Sequence, residues 1–235
     1  MILRPKVIIE KLRPHPGLTV ELGKVRRRSE LLEAGFDSVV FANGMEANEL
    51  APWLNMKPKL GQVEHLSDAP RTATAAIASG HYAITTETER LWGATFEASG
   101  DAQITAAAQA ENNTKLKSLA PWIATEAKSR QQESRASIRA TTADRLPIVG
   151  ALPDHDVARE IFHPLEKGQS VDAHAPLSPN TYLMTGLGTR GFTWAPWLAD
   201  IVASQMFGEP APATQKALEA IAPMRLILRA IKRGN

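Results

Sequence analysis

The sequence predicts an α/β fold, and three stretches carry that expectation. "TYLMTGLGTRGFTWAPWLAD", residues 181–200, is an apolar run, then Gly186, Gly188 and Gly191 spaced G-x-G-x-x-G, then a helical pattern. That is the outline of a strand, a tight turn and a helix. "FDSVVFANG" at 36–44 has a continuous apolar centre ending in Asn-Gly, which suits a buried strand entering a turn. Between them, segments 61–66, 72–78, 81–86 and 90–97 read as strands separated by turns, and so as an antiparallel or mixed sheet.

The remaining elements follow in chain order. "KVIIEKLRPHPG" (6–17) reads as a short helix stopped by Pro14 and Pro16, because proline cannot continue a helix. "LTVEL" (18–22) alternates and reads as a strand, and "GKVRRRSELLEAG" (23–35) as a loop with a helical turn. Residues 101–122 are helical, with Ile104, Ala108, Leu116 and Leu119 available to a core and a stop at Pro121. "SRASIRATTADRLPIVGALPD" (134–154) is a strand, a Thr-Thr-Ala-Asp turn and a short apolar run. Residues 155–180, rich in Pro, His, Asp and Gly, read as an irregular connection. Strand 181–185, a helix over about 194–207 and a last helix over roughly 214–232 complete the chain.

Composition narrows the function. The chain has 235 residues, 43% hydrophobic and 22% charged, with a net charge of +2, so a nucleic-acid partner requires a local basic patch rather than a global field. No cysteine is present, which removes disulfides, thiolate metal sites and cysteine nucleophiles and fits a reducing compartment. The apolar run near the N-terminus is too short for a signal peptide, and no stretch reaches about 18 apolar residues. A soluble, cytoplasmic protein with no membrane association is the expectation. His15, His65, His81, His155, His163 and His174 show no ligand spacing, and neither a G-x-S-x-G nor a P-loop lysine motif occurs. Metal, serine-hydrolase and nucleotide-triphosphate chemistries therefore lack support. Trp53, Trp92, Trp122, Trp194 and Trp197 read as core or rim aromatics sooner than as base-stacking platforms.

The glycine turn has three readings. A dinucleotide fingerprint needs a following strand with an acidic ribose ligand. After Gly191 the chain instead continues as helix, Pro-rich loop and helix, and Glu209 lies in "GEPAPATQ". A strand-to-helix turn in which glycine only relieves crowding is equally consistent with the spacing. In the third reading the helix N-terminus faces a flavin ring and stabilises negative charge on the reduced form.

Several segments together resemble one family. "FDSVVFANGMEANEL", "GQVEHL", "LWGATFE", "RASIRATTADRLPIVGALPD" and "YLMTGLGTRGFTWAPWLADIVASQM" occur in order across nearly the whole chain. They look like the FAD-dependent oxidoreductase half of the bifunctional enzymes that make tRNA 5-methylaminomethyl-2-thiouridine, within the D-amino-acid oxidase and glycine oxidase superfamily. The resemblance implies a Rossmann-like FAD-binding domain, here incomplete, interwoven with a mixed or antiparallel sheet domain that covers the flavin and forms the substrate pocket. Segments 1–56 and 139–235 would belong to the FAD domain and 57–138 to the substrate sheet. It also implies oxidation of the C–N bond joining a carboxymethyl group to the aminomethyl arm of a wobble uridine in tRNA. Two departures stand out. The family's own G-x-G-x-x-G near the start of this half has no counterpart before Gly17, and only 13 residues separate "LTVEL" from "FDSVV", where the family has a β-meander. The methyltransferase half is absent too, so the chain reads as a C-terminal portion of such an enzyme.

By the same resemblance Arg139 occupies the carboxylate-binding position of the substrate site, a role that suits a planar guanidinium. The competing reading is a surface arginine paired with Asp144. Gly186, Gly188, Thr189, Arg190, Gly191 and Phe192 match the flavin-facing loop. Ala42, Asn43 and Gly44 match the strand end that passes the FAD phosphates and ribose, and Val25 matches a position contacting adenine. For tRNA, Arg225, Arg229, Lys232 and Arg233 fall on one face of the last helix, and "KVRRR" (24–28) is a second basic cluster. Two other functions remain open, a small-molecule amine or amino-acid oxidase of the same superfamily and a non-catalytic tRNA-binding remnant.

Overall fold

Turn residues, capping side chains and apolar faces divide the chain as follows in a computed structural model, which describes residues 5–23 and 27–234. Helix α1 (Pro5–Leu12) and helix α2 (Arg28–Glu33) precede strand β1 (Val39–Phe41), a 3-10 turn at Gly44–Glu46, helix α3 (Ala47–Leu50) and a second 3-10 turn at Pro52–Leu54. Strands β2 (Lys57–Leu66), β3 (Ala75–Ser79), β4 (His81–Thr85) and β5 (Arg90–Gly93) follow, then helices α4 (Ala106–Leu119) and α5 (Pro121–Lys128). Strands β6 (Glu133–Thr141) and β7 (Ile148–Pro153) lead to helix α6 (His155–Phe162) and a 3-10 turn at His163–Lys167. Strand β8 (Leu177–Thr185), helix α7 (Gly191–Phe207), helix α8 (Gln215–Ile221) and helix α9 (Met224–Ile231) end the fold. These elements form two compact units, one built on Pro58–Arg139 and the other on Pro5–Lys57 with the chain from Ala140 onward.

The Pro58–Arg139 unit is a five-stranded sheet in the order β3-β4-β5-β2-β6. β3 with β4, β4 with β5, and β2 with β5 pair antiparallel. Alternation along each strand sends Leu66, Ala83 and Trp92 to one face, where Leu116, Ala120, Ile123, Ala124 and Ala127 of α4 and α5 close a core. Thr105 starts α4 by accepting from the Ala108 N–H at 3.1 Å, the usual N-cap bond. The same face holds a buried polar cluster. Glu64, fully buried, accepts from Gln62 Nε2 at 3.0 Å and Asn112 Nδ2 at 2.9 Å, and Ser134 Oγ donates to its other oxygen. These bonds fasten α4 to the sheet, since a buried carboxylate is tolerated only when its lone pairs are filled.

The second unit has a three-stranded sheet in the order β1-β8-β7. β1 and β8 run parallel, with Phe41 opposite Leu183, and β7 and β8 run antiparallel, with Ile148 opposite Thr185. One side packs Val39, Phe41, Ile148 and Leu183 against Ala47, Leu54 and Met56. The other packs Val149 against Leu198, Ile201 and Val202 of α7 and Ile221 of α8. α9 lies on α6 through Ile227, Ile231, Ala158 and Phe162.

Five sequence expectations need correction. "LTVEL" is not a strand: Leu18, Val20 and Leu22 are exposed and no described residue pairs with them, and alternation without a neighbour makes no ladder. Residues 155–180 are not irregular throughout. Asp154 caps α6 by accepting from Val157 N–H at 3.2 Å, and Ala158 and Phe162, four apart, supply its buried stripe. Pro121 does not simply end a helix, because it opens α5 at the first turn, where its missing N–H costs nothing. α4 begins after Ile104, which is exposed. The final helix is two, divided at Pro223.

Candidate functional site

In the three-stranded unit, the parallel pairing of β1 and β8 decides which loops leave the sheet together. Both strands end at the same edge of the sheet, so the loop Ala42–Asn43–Gly44 and the loop Gly186–Gly191 leave side by side. The carboxyl ends of parallel strands are where α/β sheets hold ligands. One hydrogen bond joins the loops. Thr185 Oγ1, buried at the end of β8, donates to the Gly44 carbonyl at 2.9 Å. The backbone needs glycine here, since Gly44, Gly186 and Gly188 have φ of +63°, +69° and +57°. Gly186 is also crowded, because a Cβ there would lie 2.9 Å from Thr142 Cγ2.

Inside the glycine loop the donors are already partly assigned. Gly188 N–H bonds the Ala140 carbonyl at 3.0 Å and Arg190 N–H the Leu187 carbonyl at 3.2 Å. At the start of α7 the Thr193 and Trp194 N–H groups both donate to the Arg190 carbonyl, at 3.1 and 3.0 Å, so among the described residues the amides left to meet a ligand there are those of Gly191 and Phe192. Thr189 and Arg190 are exposed, as is Phe192. The Arg190 guanidinium lies over the Trp194 ring, 5.2 Å from its centroid, so its charge stays beside the loop.

Asn43 provides the test of whether a cofactor belongs here. Both polar atoms of its side chain are shielded from solvent and have no hydrogen-bond partner among the described residues. A buried amide left unpaired is unfavourable by about 1–3 kcal/mol. A ligand bearing hydroxyls or phosphate oxygens at the strand end removes that penalty. Ala42, next to it, is exposed, and Val25 lies outside the described residues. The donor set of glycine loops, a helix start and an unpaired amide fits a dinucleotide such as FAD.

The five-stranded unit carries Arg139, near the end of β6. Its Nη1 donates to the Thr95 carbonyl at 3.4 Å, a long bond that leaves most of the guanidinium's capacity free. The group crosses directly over Gly61 of β2, where any Cβ would overlap it. No carboxylate among the described residues pairs with it. Asp144 is bonded instead to Arg225, at 2.9 Å from Nε and 3.2 Å from Nη2, and to Arg229, so the expectation of a possible Arg139–Asp144 pair is not met. Tyr82 of β4 lies within the field of Arg139: burial pushes its hydroxyl pKa up, and the guanidinium partly offsets this. Sequence reading missed both Tyr82 and Gly61, although a glycine inside a strand pattern signals a close approach.

The other sequence candidates separate. Arg225 is buried and ion-paired, Arg229 shares its partner, and Lys232 and Arg233 lie exposed in the turn after α9, so the four cations do not form one helical stripe. Lys24 and Arg26 of the "KVRRR" cluster lie outside the described residues, and Arg28 bonds Thr181 Oγ1 at 2.6 Å. Among the described residues no His, Asp and Glu gather to hold a metal, and no helix is long and apolar enough to cross a membrane. Trp92 is fully buried.

The family described as "FAD dependent oxidoreductase" matches residues 10–205. The chain is 29% identical over 210 residues to the tRNA 5-methylaminomethyl-2-thiouridine biosynthesis bifunctional protein MnmC of Aeromonas salmonicida, covering 84% of this chain and 31% of that protein. The protein of the same name from Burkholderia cenocepacia is 33% identical over 203 residues, covering 83% and 31%. The chain thus spans about a third of the length of these curated relatives. Among solved structures, iminodiacetate oxidase from Chelativorans matches with a TM-score of 0.60 at 22% identity, over 80% of this chain and 46% of the other. Glycine oxidase from Geobacillus kaustophilus matches with a TM-score of 0.59 at 18% identity, over 79% and 44%. These likenesses show the fold.

Proposed function

This chain belongs to the FAD-dependent oxidoreductase family, and we propose that it carries the oxidative step on the wobble uridine of tRNA, removing the carboxymethyl group from a carboxymethylaminomethyl arm. The observation that carries this reading is the pair of features described above, two glycine loops with an unpaired Asn43 amide, and an arginine with no carboxylate partner among the described residues. The bifunctional tRNA-modifying proteins, about 30% identical to this chain, support the choice of substrate.

Ala42, Asn43 and Gly44 would hold the phosphate and ribose part of FAD, and Gly186, Gly188, Thr189, Arg190, Gly191 and Phe192 its ring. When bound, FAD supplies a two-electron acceptor for hydride. Arg139 binds the carboxylate of the substrate's secondary glycine through two parallel N–H bonds, which fixes the methylene carbon for transfer. Loss of hydride from that carbon and of a proton from the nitrogen leaves an imine. Hydrolysis then releases the two-carbon acid as glyoxylate and leaves an aminomethyl group on the base. Positioning dominates, because a neutral amine needs little acid or base help from the protein. The first turn of α7 would hold the flavin ring at its positive dipole end. The experiment is oxidation of hypomodified tRNA against free glycine and sarcosine. Turnover of the tRNA arm supports the reading, and turnover of only the small amines refutes it.

A further inference from the structure

Beside Arg139, the sheet of the Pro58–Arg139 unit presents an exposed aromatic ring and a second cation that the oxidation chemistry does not use. Phe96, one residue past the Thr95 carbonyl that meets Arg139, is 58% exposed. The Lys59 ammonium sits over its ring, 5.4 Å from the centroid. Lys59 is two positions before Gly61 on β2, and side chains two apart share a face. Since the Arg139 guanidinium lies over Gly61, Lys59, Phe96 and Arg139 meet on the face opposite the α4–α5 core. Neither Lys59 nor Arg139 has a carboxylate partner among the described residues.

Resting on the tRNA reading above, we infer that this corner of the sheet is a nucleotide subsite in which Phe96 stacks on a base of the anticodon loop and Lys59 takes a neighbouring phosphate, while Arg139 holds the substrate carboxylate. A small amino acid has one anionic group, which Arg139 alone satisfies, and offers nothing to a second cation or an exposed ring. RNA offers both, since unpaired bases stack on aromatic faces and phosphates pair with lysine. With its ammonium over one side of the ring, Lys59 leaves the other side to a base. The corner therefore selects a nucleotide substrate over a free amine.

The test is binding of a fluorescein-labelled anticodon stem-loop RNA to the full chain, by anisotropy at several salt concentrations. Lys59→Gln is expected to weaken binding by about tenfold at low salt and to reduce the salt slope by about one phosphate contact. Phe96→Leu is expected to weaken binding by about five- to tenfold with the slope unchanged, and Phe96→Tyr to restore it. Lys216→Gln, on α8, should leave binding as it is. If the chain binds the RNA and neither Lys59→Gln nor Phe96→Leu alters it, the subsite is wrong and the tRNA reading stands. A chain that binds no RNA even at low salt removes both.

Discussion

At the scale of single residues, Arg139 lacks a carboxylate partner among the described residues, whereas Asp144 is held by two arginines. Arg139 is held by one long bond to Thr95 and by the space that Gly61 leaves. Arg139→Ala should therefore lower kcat/KM on carboxylate substrates by an amount equivalent to about 2–5 kcal/mol, with little change in melting temperature. Gly61→Ala should lower it as well, by displacing the guanidinium, which steady-state kinetics on the single variant will show. Asp144 is structural. Burial alone would raise its pKa, but hydrogen bonds from Arg225, the Leu146 N–H and Arg229 prevail and hold it well below the usual carboxylate range. A carboxylate depressed on folding contributes stability that is complete above its unfolded pKa and is lost as pH falls through the folded one. Acid titration of stability should thus show a loss beginning near pH 4, and Asp144→Asn should remove that part of the loss while destabilising the neutral protein. Arg225→Ala, which leaves the carboxylate without its main partner, should destabilise by on the order of 2–4 kcal/mol.

At the scale of elements, the clearest sequence signals were those with local causes. The strand, glycine turn and helix of 181–207 could be read because glycine at positive φ and an apolar run are both visible in a single window, and the antiparallel strands between 57 and 93 alternate as their faces do. What was not legible depended on distant partners. "LTVEL" has the pattern of a strand and no neighbour among the described residues, while α6 was hidden in a stretch judged by its Pro and Gly content although Asp154 and the Ala158–Phe162 stripe were present. In the candidate site, the resemblance supplied the residues and the glycine spacing supplied one loop. The Thr185–Gly44 hydrogen bond, between residues 141 apart, could not be seen in sequence. It sets the separation of the two loops, so Thr185→Val should weaken flavin binding while lowering stability by about 1–2 kcal/mol, and Thr185→Ser should restore both. Flavin fluorescence quenching alongside thermal melts separates the two effects.

At the scale of the whole molecule, the chain combines a parallel strand pair ending in two glycine loops with a sheet unit presenting an arginine that lacks a carboxylate partner among the described residues. We propose that the loops after β1 and β8 hold FAD together. Hydrogen–deuterium exchange of the full chain with and without FAD tests it most directly, at millimolar cofactor because these loops grip only part of so large a ligand. FAD should slow exchange in peptides covering 42–50 and 186–195 more than anywhere else, with Asn43→Ala reducing the protection in both. Unchanged exchange in these two segments, under conditions where flavin fluorescence reports binding, would contradict it.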